Sequence, residues 1–312
     1  MTIQFIDTAQ IQQHISFAGL IDHLRAAHRA PAPEVERLLM QHRTADGVDQ
    51  AVLVWPAWQH GSSLGVKVVT MFPANTAVPA VQGVYVLFDG MTGSPQAVID
   101  GTELTYWKTA ADSALGADML ARPDARNLLM VGAGALAPHL IRAYQAIRPG
   151  LERVVVWNRS PDKASRVAGS VRGTPASAAA DLQTAVRDAD IVCCATSSHA
   201  PLVLGAWLRP GTHLDLIGGY TPDMREADDT AVRRARVFVD SRWFTVEHAG
   251  DLTQPIASGA ITSADIQGDL FELCGGQVQG RTDPQEITLF KSGGGAHLDL
   301  MTAQYIALQC VD

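Results

Sequence analysis

Leu128-Leu129-Met130-Val131-Gly132-Ala133-Gly134-Ala135-Leu136-Ala137 reads as a strand that runs into a tight glycine turn and then a helix. The spacing is G-x-G-x-x-A, the pattern of a dinucleotide-binding turn. Gly132 makes the turn, Gly134 lets backbone approach a pyrophosphate, and Ala137 allows close packing of helix on strand. Backbone N–H groups from Gly132 through Ala133, Ala135 and Leu136 would receive the pyrophosphate, helped by the helix dipole. Pro138 falls in the first helical turn, where its missing N–H is not needed.

Working outward, apolar runs at Asn127–Val131, Arg153–Trp157, Asp190–Ala195, His213–Ile217 and Arg236–Val239 alternate with helical stretches. Those stretches are Ala135–Ile147, Ala178–Arg187 and Asp223–Ala235, and the alternation predicts a parallel sheet covered by helices. Upstream, apolar spacing predicts one helix over Ile11–Arg29 and another over Thr102–Leu120. Between them, Ala51–Trp55, Leu64–Phe72, Gly83–Asp89 and Gln96–Asp100 read as strands joined by Gly- and Pro-containing turns. The tail after residue 241 is less regular and ends in a helix over His297–Leu308. The fold class is therefore α/β: a Rossmann dinucleotide-binding domain plus a mixed α/β domain.

The 312 residues are 47% hydrophobic and 18% charged, enough for large buried cores. A net charge of −8 argues against a nucleic-acid partner. Cys193, Cys194, Cys274 and Cys310 show no C-x-x-C spacing and read as small buried apolar groups in a reducing compartment. No run approaches the roughly 18–20 apolar residues that span a bilayer, and the N-terminus lacks a signal-peptide pattern. A cytoplasmic protein without a membrane or metal partner is expected.

The loop after the second core strand bears on cofactor choice. An NAD site places Asp or Glu there for the ribose 2′-hydroxyl, whereas this chain has Asn158-Arg159-Ser160. A guanidinium and a hydroxyl suit a 2′-phosphate, so NADP(H) is expected to be preferred, with NAD(H) possible. Thr196 and Ser197 follow the third core strand, and Gly218 the fourth. Loops at the carboxyl ends of strands line the cofactor crevice in this fold.

Three of the cations that precede the glycine turn stand in unusual settings. Lys67 interrupts the apolar strand around Gly65–Val69, Lys108 lies among aromatic and small residues, and Arg43 follows Gln41-His42. Converging on one pocket, they would bind a carboxylate.

The chain resembles the ornithine cyclodeaminase/mu-crystallin family over nearly its whole length. The matches include Gly65–Lys67 with Phe72-Pro73-Ala74-Asn75, Val81–Val84, Asp100–Thr102, Leu104-Thr105, Lys108–Ala111, Gly132–Ala137, Ala189–Val192, Pro222–Glu226, Gly250–Leu252 and Thr288–Ser292. The resemblance implies a homodimer, with a substrate-binding and dimerisation domain over residues 1–120 completed by 288–312, and an NADP(H)-binding domain over 121–287. It implies that Arg43, Lys67 and Lys108 hold the substrate carboxylate, and it adds Thr109 and Ser292 to the cofactor contacts. Most members carry Arg at the position of Lys108; Lys keeps the charge but loses the bidentate fork.

A second departure bears on chemistry. Cyclodeaminases of the family carry an aspartate soon after the Gly-Gly that ends the fourth core strand. Tyr220 occupies that place here, which removes the carboxylate expected to handle the substrate amine. The resemblance then points to the ketimine reductase branch: reduction of a cyclic imino acid, Δ1-pyrroline-2-carboxylate or Δ1-piperideine-2-carboxylate, to proline or pipecolate. Lys67 and Tyr220 are candidate catalytic residues, and His297 reads as structural. The alternatives are an ornithine cyclodeaminase, an alanine dehydrogenase-type oxidoreductase, and an NADPH-dependent small-molecule binding protein of the mu-crystallin kind.

Overall fold

The computed structural model describes residues 3–45 and 47–310. The chain forms two compact units, Met1–Lys108 with Gly295–Asp312, and Thr109–Gly294. Their limits fall inside one long helix and after Gly294, where the sequence pointed to 120/121 and 287/288.

The first unit is built on a sheet that has seven strands among the described residues. They are β1 (Gln4–Ile6), β2 (Glu34–Val35), β3 (Leu38–Arg43), β4 (Asp49–Gln59), β5 (Ser63–Met71), β6 (Val81–Asp89) and β7 (Pro95–Asp100). The order is β1-β7-β6-β5-β4-β2, with β3 also paired to β4. From β4 to β7 the chain is an antiparallel meander, and β1 joins β7 in parallel. Alternation along β5 buries Ser63, Gly65 and Lys67 on one face.

Where one helix was expected over Ile11–Arg29, there are two, α1 (Thr8–His14) and α2 (Phe17–Ala27). Ile15 and Ser16 are extended, and the Ser16 hydroxyl accepts from the Gly19 amide at 3.2 Å, so an N-cap interrupts an otherwise continuous apolar pattern. Asp100 caps the next helix, α3 (Gly101–Leu120), by accepting from the Thr102 and Glu103 amides. The C-terminal helix, Ala296–Gln309, is buried on nearly every side in its first half and packs on β5, β4 and α2.

The second unit is a parallel sheet with eight strands among the described residues: β8 (Asn127–Val131), β9 (Arg153–Trp157), β10 (Ala176–Ala178), β11 (Ile191–Cys194), β12 (His213–Leu216), β13 (Ala235–Val239), β14 (Ile266–Asp269) and β15 (Ile287–Lys291). The order is β10-β9-β8-β11-β12-β15-β13-β14. The chain leaves β8 toward β9 on one side and returns to β11 on the other, so the topological switch point lies between β8 and β11. Helices α4 (Ala137–Ile147), α5 (Pro161–Ser170), α6 (Leu182–Asp188) and α7 (Asp229–Arg234) accompany the sheet. Leu129, Val131, Val192, Leu214, Leu216, Val237 and Leu289 form the centre of its core.

Two helices are shorter than the sequence suggested. Residues 176–178 pair with β9 as β10, and Asp181 caps α6. Residues 223–228 do not continue α7, because they are tied to the stretch after β11. The Arg225 amide donates to the Ser198 carbonyl, the Leu202 amide to the Glu226 carbonyl, and Val203 bridges Ala227. Cys193, Cys194, Cys274 and Cys310 are all buried, and no helix among the described residues is long and apolar enough to cross a membrane.

Candidate functional site

In the second unit, a cleft of about 330 Å³ opens at the carboxyl ends of β8, β9 and β11. Its floor is the glycine turn. Gly132 has φ +113°, and a Cβ there would sit 2.4 Å from the Ala195 carbonyl oxygen. Its amide donates to the Trp157 carbonyl at 2.9 Å, which ties β8 to β9 at the mouth. Gly134 differs: a Cβ there would meet nothing within 4 Å. The position looks into open space that a pyrophosphate can approach. No side chain caps α4 at Leu136, so first-turn amides remain available to an anion. A cradle with a bare helix N-terminus and an open glycine fits a dinucleotide.

The cleft wall after β9 carries Asn158, Arg159 and Ser160. Asn158 donates its side-chain N–H to the Ser160 carbonyl at 3.2 Å and shapes the turn. Arg159 is exposed, and Lys163, in the first turn of α5, lines the same cleft. Lys163 was missed from sequence because α5 was not assigned; Pro161-Asp162 directly after the turn is its helix-start signal. Thr196, Ser197 and Ser198 form the opposite wall.

Other expected cofactor residues lie elsewhere. Ala135 and Leu136 belong to the turn into α4 and do not line the cleft. Gly218 is buried behind it, with its amide donating to Glu226 at 2.7 Å. Ser292 is buried and donates to Asp112 at 2.8 Å; Thr109 is half-buried at the start of the second unit. Tyr220 stands 65% exposed on the loop after β12.

The first unit holds a buried charge cluster. Lys67 and Lys108, only 5% and 4% exposed, both pair with Oδ1 of Asp299 on the C-terminal helix, at 3.1 and 3.3 Å. Lys67 also donates to the Thr105 hydroxyl at 2.6 Å, and the Lys108 ammonium stands 5.8 Å from the Trp55 ring centre. Burial pushes the Lys67 ammonium below its usual range; Asp299 opposes that shift and Lys108 adds to it. Two cations against one carboxylate leave excess positive charge in a desolvated place, a receptor for a small anion. Oδ2 of Asp299 and the Tyr85 hydroxyl, which lies over Gly65, are buried without hydrogen-bond partners among the described residues.

Arg43 does not join this cluster. It sits at the end of β3, three-quarters exposed, opposite Asp49, with which it pairs at 3.8 Å. Lys67 lies opposite Trp55. The two cations are thus roughly 20 Å apart along β4 at about 3.3 Å per residue. Residues 36–37 lie between β2 and β3, and the register of Val35 with Ala57 and Leu38 with Val54, carried across them, would set the exposed Arg37 opposite Trp55. The exposed β3 carries no burial alternation, so nothing local in the sequence shows that Arg43 lies away from Lys67.

His297 is buried edge-on to His28, with ring centres 6.1 Å apart; burial, His28 and Lys108 hold it neutral. Among the described residues no three His, Cys, Asp or Glu side chains gather as a metal site.

Residues 3–311 match the ornithine cyclodeaminase/mu-crystallin family. The chain is 46% identical over 308 residues to a Delta(1)-pyrroline-2-carboxylate reductase of Paracoccus denitrificans (strain Pd 1222), covering 97% of this chain and 96% of the relative. Among solved structures, it is similar to the Thermococcus litoralis Delta(1)-pyrroline-2-carboxylate reductase in complex with NADH and L-proline. That match has 29% identity, a TM-score of 0.90, and covers 98% of this chain and 97% of the other. It is also similar to the iminosuccinate reductase of Paracoccus denitrificans in complex with NAD+, at 26% identity and a TM-score of 0.88, over 98% and 96% of the two chains. With the glycine cradle, the lysine–aspartate cluster and a match from end to end, the chain belongs to the ornithine cyclodeaminase/mu-crystallin family.

Proposed function

We propose that this chain reduces Δ1-pyrroline-2-carboxylate or its six-membered homologue to proline or pipecolate, using a reduced nicotinamide cofactor. The observation that carries the reading is the buried Lys67–Asp299–Lys108 cluster, a carboxylate receptor in a chain that also has a dinucleotide cleft. The likeness to two solved imine-handling reductases and to a pyrroline-carboxylate reductase at 46% identity supports the same chemistry.

A reduced nicotinamide held at the Gly132–Gly134 turn would supply hydride to C2 of the ring, whose nitrogen takes a proton. Lys67 and Lys108 hold the substrate carboxylate, and Asp299 pairs with both ammonium groups and fixes their position. Arg37, which the β2–β4 register carried forward would set opposite Trp55, is the candidate for a third cation. A protonated imine accepts hydride readily, so no strong base is needed. Lys67, whose acidity burial increases, and Tyr220 are the proton-donor candidates. The enzyme works as a homodimer in the cytoplasm under this reading; four buried thiols suit a reducing compartment.

We assign the cofactor preference to NADP(H). Arg159 and Lys163 on one cleft wall offer two cations to a 2′-phosphate, and that wall has no carboxylate for a free 2′-hydroxyl. Arg159→Ala is expected to weaken NADPH by about tenfold or more, as one charge-assisted contact of about 1.5–3 kcal/mol is lost. NADH should weaken little. Titrating both cofactors against wild type and variant checks this; equal losses overturn the preference.

The likeness to an iminosuccinate reductase favours a second reading, an open-chain imino acid. Cofactor oxidation measured with each cyclic imine, and with 2-oxo acids plus ammonium, separates the two. Activity confined to the open-chain mixtures, or tight cofactor binding with no turnover at all, overturns the cyclic assignment.

A further inference from the structure

Behind the cofactor cleft lies a polar knot that neither the glycine turn nor the carboxylate receptor uses. Its centre is Glu226, fully buried, in the stretch before α7. Its Oε1 accepts from the Thr196 amide at 2.7 Å and from the Thr196 hydroxyl at 2.8 Å, and its Oε2 accepts from the Gly218 amide at 2.7 Å. One carboxylate therefore clasps the loop after β11 and the loop after β12. Thr196 lines the cleft directly, and Ala195, next to it, is the residue against which Gly132 is packed.

The clasp is itself held from behind. The Glu226 and Ala227 amides donate to Oδ1 of Asp251, at 2.8 and 3.2 Å. Lys291, at the end of β15, lies 3.4 Å from Oδ2 of Asp251 and donates to the Leu216 carbonyl at 3.1 Å and to the Gly218 carbonyl. There is no room to substitute around it: a Cβ on Gly218 would fall 2.1 Å from the Thr196 carbonyl oxygen and 2.6 Å from the Glu226 carboxyl.

We propose that Glu226 is a positioning residue for the dinucleotide, holding the Thr196–Ser198 wall at the spacing the glycine turn requires. The proposal rests on the cofactor reading of the cleft. All three donors are N–H or O–H groups directed at carboxylate oxygens, so the clasp is complete only when Glu226 is ionised. Burial and the Asp251 carboxylate push its pKa up to about 8, while Lys291 and the Thr196 donors oppose that shift. The Cys194 and Cys193 thiols also feel its charge, and burial pushes both of them up. The clasp loosens as pH falls through that region and tightens as pH rises.

The test is NADH affinity from pH 6 to 9, with NADH chosen because it has no 2′-phosphate to titrate. Wild type should bind several-fold more tightly at pH 9 than at pH 6. Glu226→Gln, which cannot accept from both loops as a carboxylate does, should bind about ten- to fiftyfold more weakly at pH 9 and show a flat profile. A wild-type profile that is flat overturns the proposal without any variant, as does Glu226→Gln with wild-type affinity and slope. Wild type that fails to bind NADH or NADPH at any pH overturns the cofactor reading instead. Amide exchange at Thr196, faster in Glu226→Gln while the β8 and β12 amides keep wild-type protection, separates a loosened wall from an unfolded variant.

Discussion

Gly132→Ala and Gly134→Val should fail in opposite ways, although the two glycines belong to one turn. At Gly132 the backbone is at φ +113° and an added Cβ falls on the Ala195 carbonyl, so the substitution is strained twice over. A loss of roughly 2–4 kcal/mol in stability is expected, from the left-handed conformation and the backbone clash together. Thermal unfolding of the variant should move down by several degrees. At Gly134 a side chain meets only open space and the fold should keep its melting temperature. The same side chain fills the approach to α4, and cofactor affinity should fall by about a hundredfold or more, some 2.7 kcal/mol. Wild-type affinity in Gly134→Val would remove the pyrophosphate from this turn.

The second large effect concerns the lysine–aspartate cluster. Lys67→Met removes a charged hydrogen-bond donor of about 1.5–3 kcal/mol, so KM for the imino acid should rise by roughly 10- to 150-fold. Cofactor affinity should not change. Burial lowers the Lys67 pKa, so wild-type substrate affinity declines as pH rises through that value, and the alkaline decline should shrink in the variant. Asp299→Asn acts differently, since it leaves two buried ammonium groups without a counter-charge. A destabilisation of roughly 3–5 kcal/mol is expected. The sign with pH follows from proton counts. With Asp299 gone, the Lys67 ammonium loses the partner that opposes its lowered pKa, so the unfolded chain binds more protons there than the folded one and stability rises with pH. Denaturation of Asp299→Asn at neutral and alkaline pH checks the direction; a variant more stable at neutral pH contradicts the cluster.

Five of the parallel strands, β8, β9, β11, β12 and β13, were legible because burial on both faces makes them continuous apolar runs, whereas β10, β14 and β15 were not assigned. Asn127–Val131 and Arg153–Trp157 could be bounded to the residue. Strand order was not legible: β15 comes last in its unit yet lies between β12 and β13, and nothing local in Ile287–Lys291 encodes its neighbours. The mouth of the cleft was readable because glycine spacing and a basic turn are local signals. The clasp behind it was not, since Glu226 reaches residues far along the chain from inside what looked like a helical stretch. Asp299 was hidden the same way, as a lone carboxylate in an apolar helix whose meaning depends on two distant lysines.

The C-terminal helix has a consequence for synthesis on the ribosome. Lys67 and Lys108 emerge well before Asp299. Until Ala296–Gln309 is released, the nascent meander carries two ammonium groups with no carboxylate to neutralise them and an uncovered apolar face. The anion receptor therefore cannot assemble before that helix emerges, whereas every strand of the parallel sheet precedes it. A message truncated by one helix would yield a chain that keeps its nucleotide fold and lacks its anion receptor.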